Sequence, residues 1–195
     1  MRKIKDPIVL GIVSGVLGNC AKMAGNFFNR HVLSKSDTTY PEIAAGLFMS
    51  KKQRNRPIGN LVGLLADFSI GTSLGIPLVY MLRYTGKDMA ALKGLGLGHF
   101  AWISMYGFLG GGLGNKKGVF PLDAGTNMSA FINHSWYGLV ASLAASNLGD
   151  PSLFPEPTTN STIKQSGLKS QNYFPSEKTG VKQFNRLRVK PKRVI

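Results

Sequence analysis

Apolar residues fall in four long blocks, at about 7–28, 59–82, 91–113 and 124–148, separated by polar, basic or proline-containing stretches. Each block can cross a bilayer at a rise of ~1.5 Å per residue. Small residues recur inside the blocks at helical spacing. In the second, Gly59, Gly63, Asp67, Gly71 and Gly75 follow one another every fourth position, so a carboxylate sits in a ridge of glycines. In the first, Gly11, Gly15, Gly18, Lys22 and Asn26 share one face, with Asn19 beside them. The third carries Gly94 with Gly98 and Gly107 with Gly111, and the fourth carries Ala130, His134, Gly138, Ala141 and Ala145. A lipid-facing surface has no use for such stripes, whereas small residues let two helix backbones approach. The pattern predicts an all-α membrane protein, a bundle of four transmembrane helices. Its helix-packing positions are Gly11, Gly15, Gly59, Gly63, Gly71, Gly75, Gly94, Gly98 and Gly138. Pro77 is expected to kink the second span.

The first connection, about 29–58, is long for a loop without structure of its own. Within it Thr39, Tyr40, Pro41 and Glu42 read as a capping box. They open a short helix at about 40–49, with Ile43, Leu47 and Phe48 on one side, too short to span and placed at the interface or in a shallow re-entry. Lys51, Lys52, Arg54 and Arg56 follow. Beyond Gly149 the composition turns to Pro, Ser, Thr and Asn, then to a basic end, and no period is sustained. Residues 1–149 are therefore expected to form the membrane domain and 150–195 a mostly disordered basic tail.

The net charge of +15 over 195 residues is uneven, with nine lysines and arginines against three acids in the tail alone. A basic surplus calls for anionic partners. Beside four spans these are lipid headgroups rather than nucleic acid, contacted by Lys51, Lys52, Arg54 and Arg56 and by Arg186, Arg188, Lys190, Lys192 and Arg193. A basic start before an apolar run also fits a signal peptide, but no clean cleavage site follows, because Asn19 takes the small-residue place before Cys20. That lone cysteine leaves the redox compartment unread. Counting the tail, Lys and Arg put both termini on the cytoplasmic side; counting only residues close to the spans leans the other way.

Candidate chemistry rests on Lys22, Asp67, His99 and His134. A charge near mid-bilayer costs at least ~2.5 kcal/mol and needs a partner or a purpose. Lys22 lies past the middle of its span and Asp67 before the middle of the next, so antiparallel neighbours put them at one level. His134 falls at that level too, and His99 in the other half. Three plain readings stand beside this: Lys22 snorkels, Asp67 is neutral or pairs only to set register, and His134 bonds a carbonyl or Asn127. Two histidines at different depths with one carboxylate make no metal ligand set. No nucleotide, hydrolase or metalloprotease motif is present, so no cofactor, metal or catalytic residue is expected.

The order of a Lys5-Asp6-Pro7 start, a glycine-rich first span ending in Asn and Phe, the segment YPEIAAGLF, three further spans and HSWYGLV in the last resembles the uncharacterised four-helix integral membrane protein family of spore-forming Firmicutes. The likeness covers about residues 5–148. It implies a four-helix fold and a bacterial plasma membrane location, but no activity and no site. Two function classes remain: a structural or interaction protein, as a homo-oligomer or part of a larger membrane assembly, that holds a basic tail at the membrane; or a small proton- or ion-coupled transporter or channel component using Lys22, Asp67 and His134. The absence of an inverted repeat between spans weighs against the second.

Overall fold

The charged start ends at Asp6, whose carboxylate accepts from the backbone N–H groups of Ile8 and Val9 at 2.8 Å, with Pro7 in the first turn. An acidic cap and an early proline satisfy or remove the donors that a helix N-terminus leaves open. In this computed structural model, which describes residues 3–32, 39–112 (for 109–112 the backbone alone) and 123–155, the helix so opened is α1, Pro7–His31. It is followed by α2 (Tyr40–Phe48), α3 (Lys51–Arg54), α4 (Pro57–Thr85), α5 (Ala90–Trp102) and α6 (Ala124–Leu148). No strand occurs among the described residues, only an isolated bridge between Ile4 and Gly149.

The elements depart from the expected bounds in four places. Helices α1 and α4 run a turn longer than the apolar blocks, because Asn29, Arg30 and Arg83 fit a helix end as well as a loop. The basic cluster after α2 is partly helical, as the four-residue α3 capped by Ser50 and Gln53. The third block is not one α-helix: α5 ends at Trp102, and Ile103–Gly112 continues with π-helical geometry. Within that segment Gly107 is exposed, and a Cβ there would meet only the Ile103 side chain. Finally, the residues just after Gly149 are structured. Pro151–Leu153 forms a 3-10 turn, and Phe154 is buried with Leu10, Val79, Leu82 and Ala145. Hydrogen bonds from Ser152 hold the exposed Asp150 carboxyl below the usual carboxylate range, and the Thr126 amide does the same for Asp123, which caps α6. Residues 156–195, with the tail's basic contacts, lie outside the described residues, as do 33–38 and 113–122. Helix α4 continues through Pro77.

Helix α1 packs against both α4 and α6, α5 packs against α6, and α2 lies on α4. Glycines make these contacts close. A Cβ at Gly11 would come within 2.7 Å of the Ile76 backbone, and one at Gly15 within 2.8 Å of the backbone of Gly71 and Thr72. Gly75 stands against the Gly11 carbonyl, Gly94 and Gly138 face each other's carbonyls, Gly98 meets that of His134, and Gly63 that of Pro41. Gly59 stands against the Arg54 carbonyl in the chain just ahead of α4. Between α4 and α5, Gly86 has φ +82°, and Lys93 Nζ donates to the Thr85 and Gly86 carbonyls at 3.0 and 2.9 Å. A lysine there satisfies acceptors at the end of α4. At the far end of the chain, the Ile4 amide donates to the Leu148 carbonyl and the Asp150 amide to that of Ile4, both at 2.9 Å.

Among the described residues two helices, Pro7–His31 and Pro57–Thr85, are long and apolar enough to cross a membrane. Buried polar side chains stand beside an apolar core that includes Leu10, Leu78, Val79 and Leu82, and many large apolar side chains are exposed. Ser14, Asn19, Lys22, Asp67, Asn133 and Ser142 are buried, while Phe27, Leu61, Leu65, Phe100, Phe108 and Trp136 are exposed.

Candidate functional site

Gly11 and Gly15 on α1 and Gly71 and Gly75 on α4 bring the two helices close enough for Lys22 and Asp67 to meet. Lys22 Nζ lies 2.6 Å from Asp67 Oδ1, with both side chains less than one-tenth exposed. One turn back on α1, Asn19 donates from Nδ2 to Asp67 Oδ2 at 3.0 Å, so each carboxylate oxygen has a partner. The remaining face of the ammonium lies 4.6 Å from the centre of the Tyr40 ring. A desolvated cation gains from the negative face of an aromatic ring. Tyr40 is the first residue of α2, and the capping box sets it there: the Thr39 amide donates to Glu42 Oε2 at 2.9 Å, and the Glu42 amide to Thr39 Oγ1 at 3.4 Å.

His134 enters from α6. Its Nδ1 lies 2.8 Å from the Ala130 carbonyl. A carbonyl only accepts, so Nδ1 carries the proton and Nε2 is the acceptor of the neutral ring. Among the described residues Nε2 has no hydrogen-bond partner. The imidazole meets the rings of Tyr40 and Tyr106 edge-on, with centroids 5.6 and 5.9 Å away. Tyr137, one turn further along α6, donates its hydroxyl to the Gly71 carbonyl at 2.6 Å, tying α6 to α4. A second polar seam joins α1 to α6, where Asn29 Nδ2 donates to Ser129 Oγ at 2.8 Å and to Asn133 Oδ1 at 3.2 Å.

These groups border a cavity of about 40 Å³ lined by Lys22, Asp67, His134, Tyr40, Tyr106 and Tyr137, together with apolar residues of α2, α4, α5 and the π-helical segment. One water needs only ~10–15 Å³ of such space and two to four polar partners, which the carboxylate, the ammonium and His134 Nε2 can provide. The cavity suits water or a proton carrier, and it is too small for an organic substrate. A wider groove of about 410 Å³ lies on the first-connection side, bordered by Asn26, Arg30, His31, Glu42 and Asn60 and by Met23, Phe27 and Leu64. Arg30 and Glu42 approach to 3.9 Å across it.

Of the candidates named from sequence, the structure brings Lys22, Asp67 and His134 to one cavity. His99 stands apart, 2.8 Å from Ser135 Oγ and stacked on Phe131. Lys51, Lys52 and Arg56 are exposed on and beside α3, and Arg54 is half-buried. Among the described residues no group of three or more His, Cys, Asp or Glu could hold a metal ion. The sequence reading did not place Asn19 on the carboxylate, nor Tyr40, Tyr106 and Tyr137 around the cavity. One signal was present for Tyr137, which follows His134 by three residues and so shares its face. Comparisons with protein-family models, with curated proteins and with solved structures find no match.

Proposed function

We propose that the chain is a multi-pass protein of the bacterial cytoplasmic membrane, with four spans formed by α1, α4, Ala90–Gly112 and α6. Its role is that of a structural or interaction component that holds a basic tail against anionic headgroups, alone, as a homo-oligomer or in a larger assembly. This is the architecture that the resemblance to the spore-former family implies. The observation that carries the reading is the apolar outer surface: large leucine, isoleucine, phenylalanine and tryptophan side chains are exposed along α1, α4, α5 and α6, while an ion pair, serines and asparagines are buried. Water would drive that arrangement to turn over, whereas hydrocarbon tolerates it. Backbone-to-backbone contact at Gly11, Gly63, Gly75, Gly94 and Gly138 suits a fixed scaffold, because such contacts leave no slack for sliding. The bridge of Ile4 to Leu148 and Asp150 supports an even number of spans with both termini on one side.

Cysteine labelling in intact cells tests the topology. In a Cys20→Ser background, Ser36→Cys and Asn115→Cys are expected to react with an impermeant thiol reagent, and Ser170→Cys to react only after lysis. The reverse pattern turns the protein over. Reaction of Ser36→Cys and Ser170→Cys from the same side sinks the four-span reading.

The polar cavity favours a second reading, a small proton- or ion-coupled transporter or channel component working through Lys22, Asp67 and His134. Intramembrane ionisable groups that share a water-sized space are where proton relays are built. Reconstituted into vesicles, such a protein dissipates an imposed proton gradient, and Asp67→Asn abolishes the leak. Equal gradient decay for wild type, Asp67→Asn and empty vesicles removes this reading and leaves the scaffold.

A further inference from the structure

Tyr40 borders both the water-sized cavity and the wide groove on the first-connection side, and no other described residue borders both. Its ring stands between the open groove, with Arg30 and Glu42, and the enclosed pair of Lys22 and Asp67. The backbone at this point is firmly held. The capping box fixes the start of α2, and the next carbonyl, that of Pro41, rests on Gly63 of α4. The side chain is held differently. It is 5% exposed, yet its hydroxyl, though near Asn133, lacks hydrogen-bonding geometry with any described residue. Its ring faces the Lys22 ammonium and meets His134 edge-on. Cation–π and ring-edge contacts are weaker and less directional than a charge-assisted hydrogen bond. A rotation about the Tyr40 side-chain bonds therefore costs much less than a movement of the ion pair or of either glycine-packed helix.

We infer that Tyr40 is the barrier between the groove and the cavity, and that water or a proton carrier reaches Asp67 and His134 from the first-connection side past its ring. This adds an entry route to the second reading above and depends on that reading only for what the route carries. The orphaned hydroxyl fits the role, because a polar group at the boundary can hydrogen-bond water arriving from the groove without first breaking a bond within the protein.

Access can be measured directly on the purified chain. In a Cys20→Ser background, a cysteine at Ala101, on the α5 wall of the cavity, reports the inside, and one at Asn60 reports the groove. A cysteine at Ala145, fully buried among apolar residues away from the cavity, reports unfolding. The probe is a small neutral hydroxyethyl methanethiosulfonate. With Tyr40 intact, Asn60→Cys reacts fast and Ala101→Cys slowly; combining Ala101→Cys with Tyr40→Ala raises its rate by about tenfold or more, the scale on which local opening governs access. Tyr40→Phe keeps the ring and leaves the slow rate in place. The inference is overturned if Ala101→Cys reacts as fast with Tyr40 as without it, or stays slow in Tyr40→Ala while Asn60→Cys remains fast. Where Ala145→Cys becomes reactive, showing that Tyr40→Ala has unfolded, Tyr40→Leu decides by the same criteria. The barrier can hold in a protein that passes no protons, so the labelling and the flux assay fail independently.

Discussion

Gly63→Leu and Gly75→Leu are each expected to leave no stably folded bundle in detergent. Overpacking a core costs typically ~1–3 kcal/mol where neighbouring side chains can turn aside. At these two positions the obstacle is main chain. A Cβ at Gly63 overlaps the Pro41 carbonyl, and one at Gly75 overlaps the Gly11 carbonyl and crowds the Gly15 backbone. Neither can move without separating α2 from α4 or α1 from α4. Separation at Gly75 would also weaken the approach that lets Lys22 reach Asp67. Total stabilities are only about 5–15 kcal/mol, so a loss above the usual overpacking range removes most of the folded population. Gly71→Ala should be milder, because the atoms it meets belong to the Asn19 side chain, which can rotate at the expense of its hydrogen bond to Asp67. Gly96→Leu is the control with the opposite sign. It is exposed, a Cβ there meets nothing within 4 Å, and replacing glycine inside a helix gains up to about 1 kcal/mol of propensity. Size-exclusion recovery and thermal melting in detergent separate the cases. Wild-type melting of both Gly63→Leu and Gly75→Leu would mean that this ridge faces lipid rather than the chain itself.

The ridge and the face of α1 could be read from sequence because spacing by three and four residues reports which side chains share a helix face. Gly59, Gly63, Asp67, Gly71 and Gly75 are all buried on α4, as are Gly11, Gly15, Gly18, Lys22 and Asn26 on α1. The common level of Lys22, Asp67 and His134 followed from depth along successive spans, which rise per residue alone determines. The rest depended on distances between elements, on which periodicity is silent. The capping box marked where α2 begins, but not that Tyr40 would lie over the Lys22 ammonium and against His134. The π-helical geometry of Ile103–Gly112 had no signature, since glycines and aromatics there mark no single face. The proline-rich composition beyond Gly149 gave no sign of the turn at Pro151–Leu153 or of Phe154 packing against Leu10 and Ala145; apolar residues after a proline can pack as well as hang free. Asn19 was seen beside the small-residue stripe, but its bond to Asp67 needed the rotation of α1 about its own axis.

The ion pair supports the other large prediction. Lys22→Met and Asp67→Asn should each destabilise the protein by about 3–5 kcal/mol, the cost of leaving one member of a buried pair uncompensated. Lys22→Met leaves the carboxylate with Asn19 as its hydrogen-bond donor, an amide in place of a cation. Asp67→Asn leaves the ammonium over the Tyr40 ring with an amide where its counter-charge stood. The double variant strands neither charge, and the Asn19 amide can still donate to the oxygen that remains at position 67. It should therefore be more stable than the sum of the single losses predicts, by about 2 kcal/mol, within the range found for residues in direct contact. Thermal or denaturant unfolding of the four proteins in one detergent completes the cycle. Additive losses would mean that the 2.6 Å contact couples the helices too weakly to matter, with Asn19 and His134 the next partners to test against Asp67. A third outcome bears on function. Replacing a buried pair by neutral groups of similar size is often neutral or stabilising, so an Asp67→Asn protein more stable than wild type would show a carboxylate kept at a cost. A scaffold gains nothing from such a group. Set beside a water-sized cavity that also holds His134, that result would move the weight from the scaffold to the proton or ion pathway.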